Sequence, residues 1–192
     1  MESTLYIKNM VCHRCIKVVK DELIKLGYEV SKITLGEAII NSPKKSPDIS
    51  SIRQALVENG FDIVDDKNSK LIERIKVLII NKIHHQNDNL EKFSFSKYLS
   101  NELSINYSHL SSVFSSCEGI TIEKFIIKQK IERVKELLTY DESTLSEISF
   151  MLGYSSVQHL SNQFRQITGL KPSYFKKLKE HRRIPLDQIN EP

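Results

Sequence analysis

The sequence predicts an α+β chain, a small βαββαβ domain followed by an all-helical one. Three observations carry that prediction. The first 66 residues alternate strand-like and helix-like stretches, whereas the rest keep helical periodicity throughout. The helical half contains one helix–turn–helix pattern twice. Leu110, Phe114, Gly119 and Phe125 recur fifty residues on as Leu160, Phe164, Gly169 and Phe175. Upstream, Leu99, Leu103 and Ile105 recur forty-nine residues on as Ile148, Leu152 and Tyr154. The one-residue slip falls between the helices, where a turn can absorb an insertion.

Taken in order, Thr4–Lys8 alternates polar and apolar residues as a half-buried strand does. From Arg14 to Lys25, Ile16, Val19, Leu23 and then Leu26 recur at helical spacing, and Gly27 closes that helix. Glu29–Leu35 and Glu37–Ile40 form a hairpin turning at Gly36. Ser42–Pro47 is a loop. Asp48 caps a second helix running through Glu58 and ended by Asn59-Gly60, and Phe61–Val64 is a last strand. This βαββαβ order is the ferredoxin-like arrangement, assigned to residues 1–66. No Gly/Ser- or Pro-rich linker follows. A helix over Leu71–His84, with Ile72, Ile75, Leu78, Ile79 and Ile83 on one face, begins at once, so the two domains are closely tethered.

The second domain spans 67–183, and 184–192 is read as a tail. Between its repeats lies an amphipathic helix, Ile122–Leu138, about 25 Å long at roughly 1.5 Å per residue, enough to hold two repeats near one turn of DNA apart. In the second repeat Ser143 or Thr144 caps a helix through Leu152, and Gly153 allows the turn. Ser155 or Ser156 then caps a helix to about Ile167. Leu160 and Phe164 face inward, which leaves Val157, Gln158, His159, Asn162 and Arg165 for a groove. Gln and Asn bond bidentately to adenine, and Arg reads guanine or binds phosphate.

Charge supports this. Residues 1–66 carry 9 Lys/Arg against 10 Asp/Glu, while 67–192 carry 19 against 14. Lys171 to Arg183 alone holds six bases and one acid, a composition suited to phosphates. No stretch reaches the roughly 18–20 apolar residues of a membrane span, and the N-terminus lacks signal-peptide character, so a cytoplasmic protein is expected. No nucleotide loop, catalytic triad or paired carboxylates point to an enzyme.

Residues 70 to 182 resemble the DNA-binding domain of bacterial AraC-type transcriptional regulators. The resemblance rests on Leu145–Ser149 with Leu152-Gly153-Tyr154, on Leu160-Ser161-Asn162-Gln163-Phe164-Arg165, and on Thr168-Gly169-Leu170-Lys171-Pro172-Ser173-Tyr174-Phe175. Phe175 stands where arginine is more usual. The resemblance implies base-facing positions at Ser108, Ser111 and Ser112 in the first repeat, and at Val157, Gln158, His159 and Asn162 in the second. An all-serine set discriminates little, so the second recognition helix is expected to supply more direct readout, the first reading phosphate or shape.

Three cysteines in a reducing compartment make no disulfide framework. Cys12 and Cys15 form a CxxC between the first strand and first helix, where the helix N-terminus and Arg14 favour thiolates. Two thiolates on one loop make a soft, low-coordinate site that prefers Cu(I), or Zn(II) or Cd(II) if more ligands arrive. Residues 3–65 resemble a heavy-metal-associated domain of copper chaperones and metal-pumping ATPases. The carriers are the Met10-x-Cys12-x-x-Cys15 loop, Leu26-Gly27, the Gly36 hairpin and Glu58-Asn59-Gly60-Phe61. Asn9 replaces the usual glycine, and His13-Arg14 replaces smaller or neutral residues. The resemblance implies Cys12 and Cys15 as metal ligands, with Met10 buried behind the loop. A dithiol redox switch, or a domain that only packs or dimerises, stays open beside metal binding.

The combined expectation is a transcription regulator that binds promoter DNA and responds to a soft metal ion. Homodimerisation and contact with RNA polymerase are compatible with it. The alternative is a metal-trafficking or buffering protein.

Overall fold

In the computed structural model, which describes residues 2–42, 46–86, 89–140, 143–178 and 184–189, the chain separates into two units, Met1–Val77 and Leu78–Pro192. Residues 43–45 of the expected loop, the basic run 179–183 and residues 190–192 of the expected tail lie outside the described residues.

The N-terminal unit runs β1 (Glu2–Lys8), α1 (His13–Lys25), β2 (Glu29–Thr34), β3 (Glu37–Asn41), α2 (Ile49–Val57) and β4 (Asp62–Ile63). The strands form an antiparallel sheet in the order β2-β3-β1-β4, which pairs Leu5 with Ala38 and Ile7 with Ile63. Alternation puts Leu5 and Ile7 on one face, with Ala38 and Ile40 from β3. Onto that face α1 lays Val19 and Leu23 and α2 lays Ile52 and Leu56, closing a core with Met10, Phe61 and Ile63. Asp48 starts α2 as expected, accepting from the Ser51 N–H at 3.2 Å. Tyr6 points to the other face. There the ammonium of Lys70, from α3 (Lys67–Ile80), lies 5.0 Å from its ring centroid.

The helix expected to continue to His84 instead changes pitch at Asn81. A π-helical turn, Asn81–His85, follows, with the Gln86 N–H donating to the Asn81 carbonyl. The wider turn lets Lys82, Ile83 and His84 be buried in succession, which the 3.6-residue period of an α-helix does not favour. Nothing in the apolar pattern marks such a turn.

The rest of the C-terminal unit is α4 (Phe95–Leu103), α5 (Tyr107–Glu118), α6 (Ile122–Tyr140), α7 (Leu145–Met151), α8 (Val157–Thr168) and α9 (Pro172–Lys177). The two repeats pack alike. Leu110 and Phe114 on α5, like Leu160 and Phe164 on α8, are fully buried. Phe125, in the first turns of α6, meets Phe114 at 5.7 Å between centroids, and Phe175 of α9 meets Phe164 at 5.5 Å. Each such side chain contributes about 1.5–3 kcal/mol by leaving water.

The slip between the repeats has a definite address. Ser104 and Gly153 both adopt left-handed backbone, φ 54° and 66°, forty-nine residues apart. The helix caps that follow, Asn106 and Ser156, are fifty apart. The inserted residue is therefore Ser155. Of the two caps open at each helix in the second repeat, Thr144 and Ser156 serve, Thr144 within a reciprocal capping box with Glu147.

Along α6, Gln129, Glu132 and Lys135 are buried polar residues with partners. His84 lies 3.0 Å from the Gln129 Oε1, and Lys135 is paired with Glu132. Residues 184–189, the described part of the stretch read from sequence as tail, lie along this helix. The Ile184 N–H donates to Glu132, Gln129 donates to the Leu186 carbonyl, and Lys128 donates to the Ile189 carbonyl.

Candidate nucleic-acid interface and dithiol site

The local sequence of α8 separates its two faces cleanly. Ser156 accepts from the His159 N–H at 3.1 Å and starts the helix, while Leu160 and Phe164 anchor its inner face. Val157, Gln158, His159, Asn162 and Arg165 are all exposed. The Gln158 side-chain amide donates to the Asn162 side-chain Oδ1 at 2.9 Å. In that arrangement the Gln158 oxygen and the Asn162 amino group remain as a neighbouring acceptor and donor. His159 is held on two sides. Its Nδ1 is 3.1 Å from the Ser155 hydroxyl, and its ring meets the Tyr154 ring edge-on at 5.5 Å. The inserted serine thus orients an imidazole whose Nε2 faces away from that bond.

On α5, Ser108 and Ser112 are exposed and Ser111 is half-buried. Ser108 is partly occupied, its hydroxyl donating to the Asn106 cap at 2.7 Å. Tyr107 donates to Glu123 across the helix pair. That bond holds Glu123 below the usual carboxylate range, and burial raises the Tyr107 phenol. The serine set leaves out His109, which is exposed and stands fifty residues before His159. The repeat offset itself was the signal for it.

In the other unit, Met10 is buried at 1% exposure beneath the CxxC loop. Asn9, at φ 70°, donates from its side chain to the Gly60 carbonyl at 2.9 Å and so ties the loop to the end of α2. Cys12 occupies the N-cap of α1, and the Cys15 N–H donates to its carbonyl at 3.0 Å. The two sulfurs, both half-buried thiols, lie 3.4 Å apart. Position at a helix start leads one to expect lowered thiol pKa values. Cys15 departs from this: burial first, then its contact with the Cys12 sulfur, pushes its thiol up. Among the described residues no group of three or more His, Cys, Asp or Glu side chains is placed to hold a metal ion.

The duplicated helical architecture has a counterpart among known families. Residues 99–178 match a family model described as a helix-turn-helix domain. The match takes in α5 and α8 and the α6 helix between them. LumQ of Photobacterium leiognathi, described as a probable transcriptional regulator, is 25% identical over 130 residues, covering 68% of this chain and 50% of LumQ. The HTH-type transcriptional regulator YfiF of Bacillus subtilis is 28% identical over 108 residues, covering 56% of this chain and 34% of YfiF. The chain thus spans half or less of the length of these relatives. Among solved structures, the C-terminal domain of AraT, a response regulator from Geobacillus stearothermophilus, superposes with a TM-score of 0.49 at 21% identity, covering 62% of this chain and 91% of that domain. Among the described residues no helix is long and apolar enough to cross a membrane.

Proposed function

We propose that the chain is a sequence-specific DNA-binding transcription regulator of the AraC type, acting in the cytoplasm, whose N-terminal domain responds to a soft metal ion. The observation that carries the DNA reading is the duplicated packing unit on either side of α6, each copy exposing the polar face of one recognition helix. At about 1.5 Å per residue the 19 residues of α6 span about 28 Å, on the order of one helical turn of duplex. Gln158, His159, Asn162 and Arg165 supply most base contacts, while Ser108, Ser111 and Ser112 favour phosphate and shape. The naming of the relatives as transcriptional regulators supports the same reading.

The element order of the N-terminal unit and its β2-β3-β1-β4 sheet support a ferredoxin-like, heavy-metal-associated domain. Cys12 and Cys15 would hold Cu(I) as a two-sulfur site within one chain. Tetrahedral Zn(II), with bonds to sulfur of about 2.3 Å, would need thiolate sulfurs about 3.8 Å apart, near the 3.4 Å separation here, and the larger Cd(II) would need a wider span. Two such chains would supply the four thiolates, making the ion a dimeriser. Metal binding then shifts operator affinity by linkage, with a coupling of about 1–3 kcal/mol sufficing for regulation. Activation would add a contact with RNA polymerase.

The test is capture of genomic DNA fragments by apo protein, by Cu(I)-, Zn(II)- and Cd(II)-loaded protein, and by the Cys12→Ser/Cys15→Ser double mutant. Promoter enrichment that depends on one metal and on both cysteines is expected. Enrichment indifferent to metal and mutation overturns the metal-sensing half of the proposal. No selective enrichment overturns the DNA half and favours a metal-trafficking protein.

A further inference from the structure

Lys130 lies midway along α6, and its side chain turns into the helix-turn-helix domain. Its ammonium is 5.3 Å from the centroid of the Tyr154 ring and 5.9 Å from that of Phe95. No described carboxylate pairs with it, and burial alone draws its pKa down to about 8. An ammonium placed so loses hydration that two aromatic faces restore only in part. A methionine would fill the same space without that cost. What the charge gains must come from its neighbours.

Those neighbours belong to different repeats. Phe95 is the first residue of α4, the scaffold helix of the first repeat, and meets Phe93 edge-on at 4.9 Å. Phe93 in turn carries the ammonium of Lys82, 4.6 Å from its centroid. Tyr154 sits in the turn of the second repeat, with its N–H donating to the Ser149 carbonyl at 2.9 Å. Its phenolic oxygen is buried without a hydrogen-bond partner, so no polar anchor sets the ring's orientation from that end. The Tyr154 ring also meets His159 edge-on at 5.5 Å, on the face of α8 that would meet the groove. Because an aromatic ring attracts a cation through its face, the contact orients both rings, which an alkyl chain would not do.

We propose that Lys130 is a positioning residue for DNA recognition: held between Phe95 and Tyr154, its ammonium sets the two helix-turn-helix repeats at one separation and orientation. This rests on the reading of α5 and α8 as the two DNA-contacting helices. Lys130 touches no DNA in this scheme. It acts through the Tyr154 turn of the second repeat on one side and through α4 of the first on the other.

The test uses the full chain with Cys12→Ser, Cys15→Ser and Cys117→Ser, and with spin labels at Ser116→Cys and Gln166→Cys, exposed positions on α5 and α8. Pulsed dipolar distance measurement should give one narrow distribution with Lys130, one roughly twice as broad with Lys130→Met, and a narrow one again with Lys130→Arg. An unchanged width in Lys130→Met overturns the proposal. So does broadening that Lys130→Arg leaves in place, because the cation would then not be the cause. A second arm uses duplexes selected by the wild-type chain from a random-sequence library. Lys130→Met should bind the two-half-site duplex about tenfold more weakly while binding a single half-site unchanged. Equal weakening on both duplexes overturns the positioning role. If the wild-type chain selects no sequence, the DNA reading fails, while the distance widths still decide whether Lys130 holds the repeats.

Discussion

Gly153 and Ser104 occupy equivalent left-handed turns, yet their surroundings set opposite demands. A Cβ on Gly153 would lie 2.3 Å from the Leu90 carbonyl oxygen, and the backbone there already has φ 66°. Both effects oppose any side chain, so Gly153→Ala should lower unfolding free energy by more than about 2 kcal/mol. Ser104 bears a Cβ at φ 54°, so Ser104→Gly should raise it by about 0.5–1 kcal/mol. Urea denaturation of the two variants checks both signs, and a change of the same sign in each would contradict the argument. On the proposed reading face, Gln158→Ala should cost about 1–3 kcal/mol against the preferred duplex and relax selectivity at one base pair. Ser112→Ala should leave selectivity unchanged, as competition binding with single-base variants of the selected duplex would reveal.

Helix starts carry the main pH dependence that the structure supports. Asp48 is held at about 2 by the Ser50 and Ser51 hydroxyls and the Ser51 N–H, and Glu147 is lowered by the Thr144 backbone and hydroxyl. A carboxylate whose folded pKa lies below its unfolded value stabilises the fold above the unfolded pKa. That contribution fades as pH falls toward the folded value. For Asp48 the window runs from about pH 4 down to about 2, and Asp48→Asn should remove that part of the acid sensitivity from the N-terminal unit. Denaturant midpoints at stepped pH measure it; an unchanged acid slope in the variant would refute the assignment.

The same elements show how far sequence can be read. The caps at Asp48 and Thr144 and the Leu/Phe anchors of both repeats obey local spacing, so they were legible. The π-helical turn, the docking of residues 184–189 on α6 and the seat of Lys130 depend on partners dozens of residues away. In sequence, Lys130 is one more base on a charged amphipathic helix. At the dithiol site, the loop and its cysteines were legible, but burial of Cys15 against its partner was not, and that burial reverses the direction expected for its thiol.

At the scale of the whole chain, the two units predict separable responses. A soft metal ion at about 100 times its Kd should stabilise the N-terminal unit by about 2.7 kcal/mol, and the Cys12→Ser/Cys15→Ser variant should lose that gain. Hydrogen exchange resolved by segment would locate the effect, and protection confined to residues beyond 78 would exclude these cysteines as its source.

The insertion of Ser155 has a consequence for direction. It gives the second repeat an oriented imidazole, beside amide and guanidinium groups, while the first presents mostly hydroxyls. Two identical reading heads related by a twofold axis would bind a palindromic site equally well either way round. Two unequal heads on one α6 cannot be exchanged by rotating the molecule half a turn. A chain built so would seat on duplex with a defined head and tail, and could distinguish upstream from downstream without a second copy of itself.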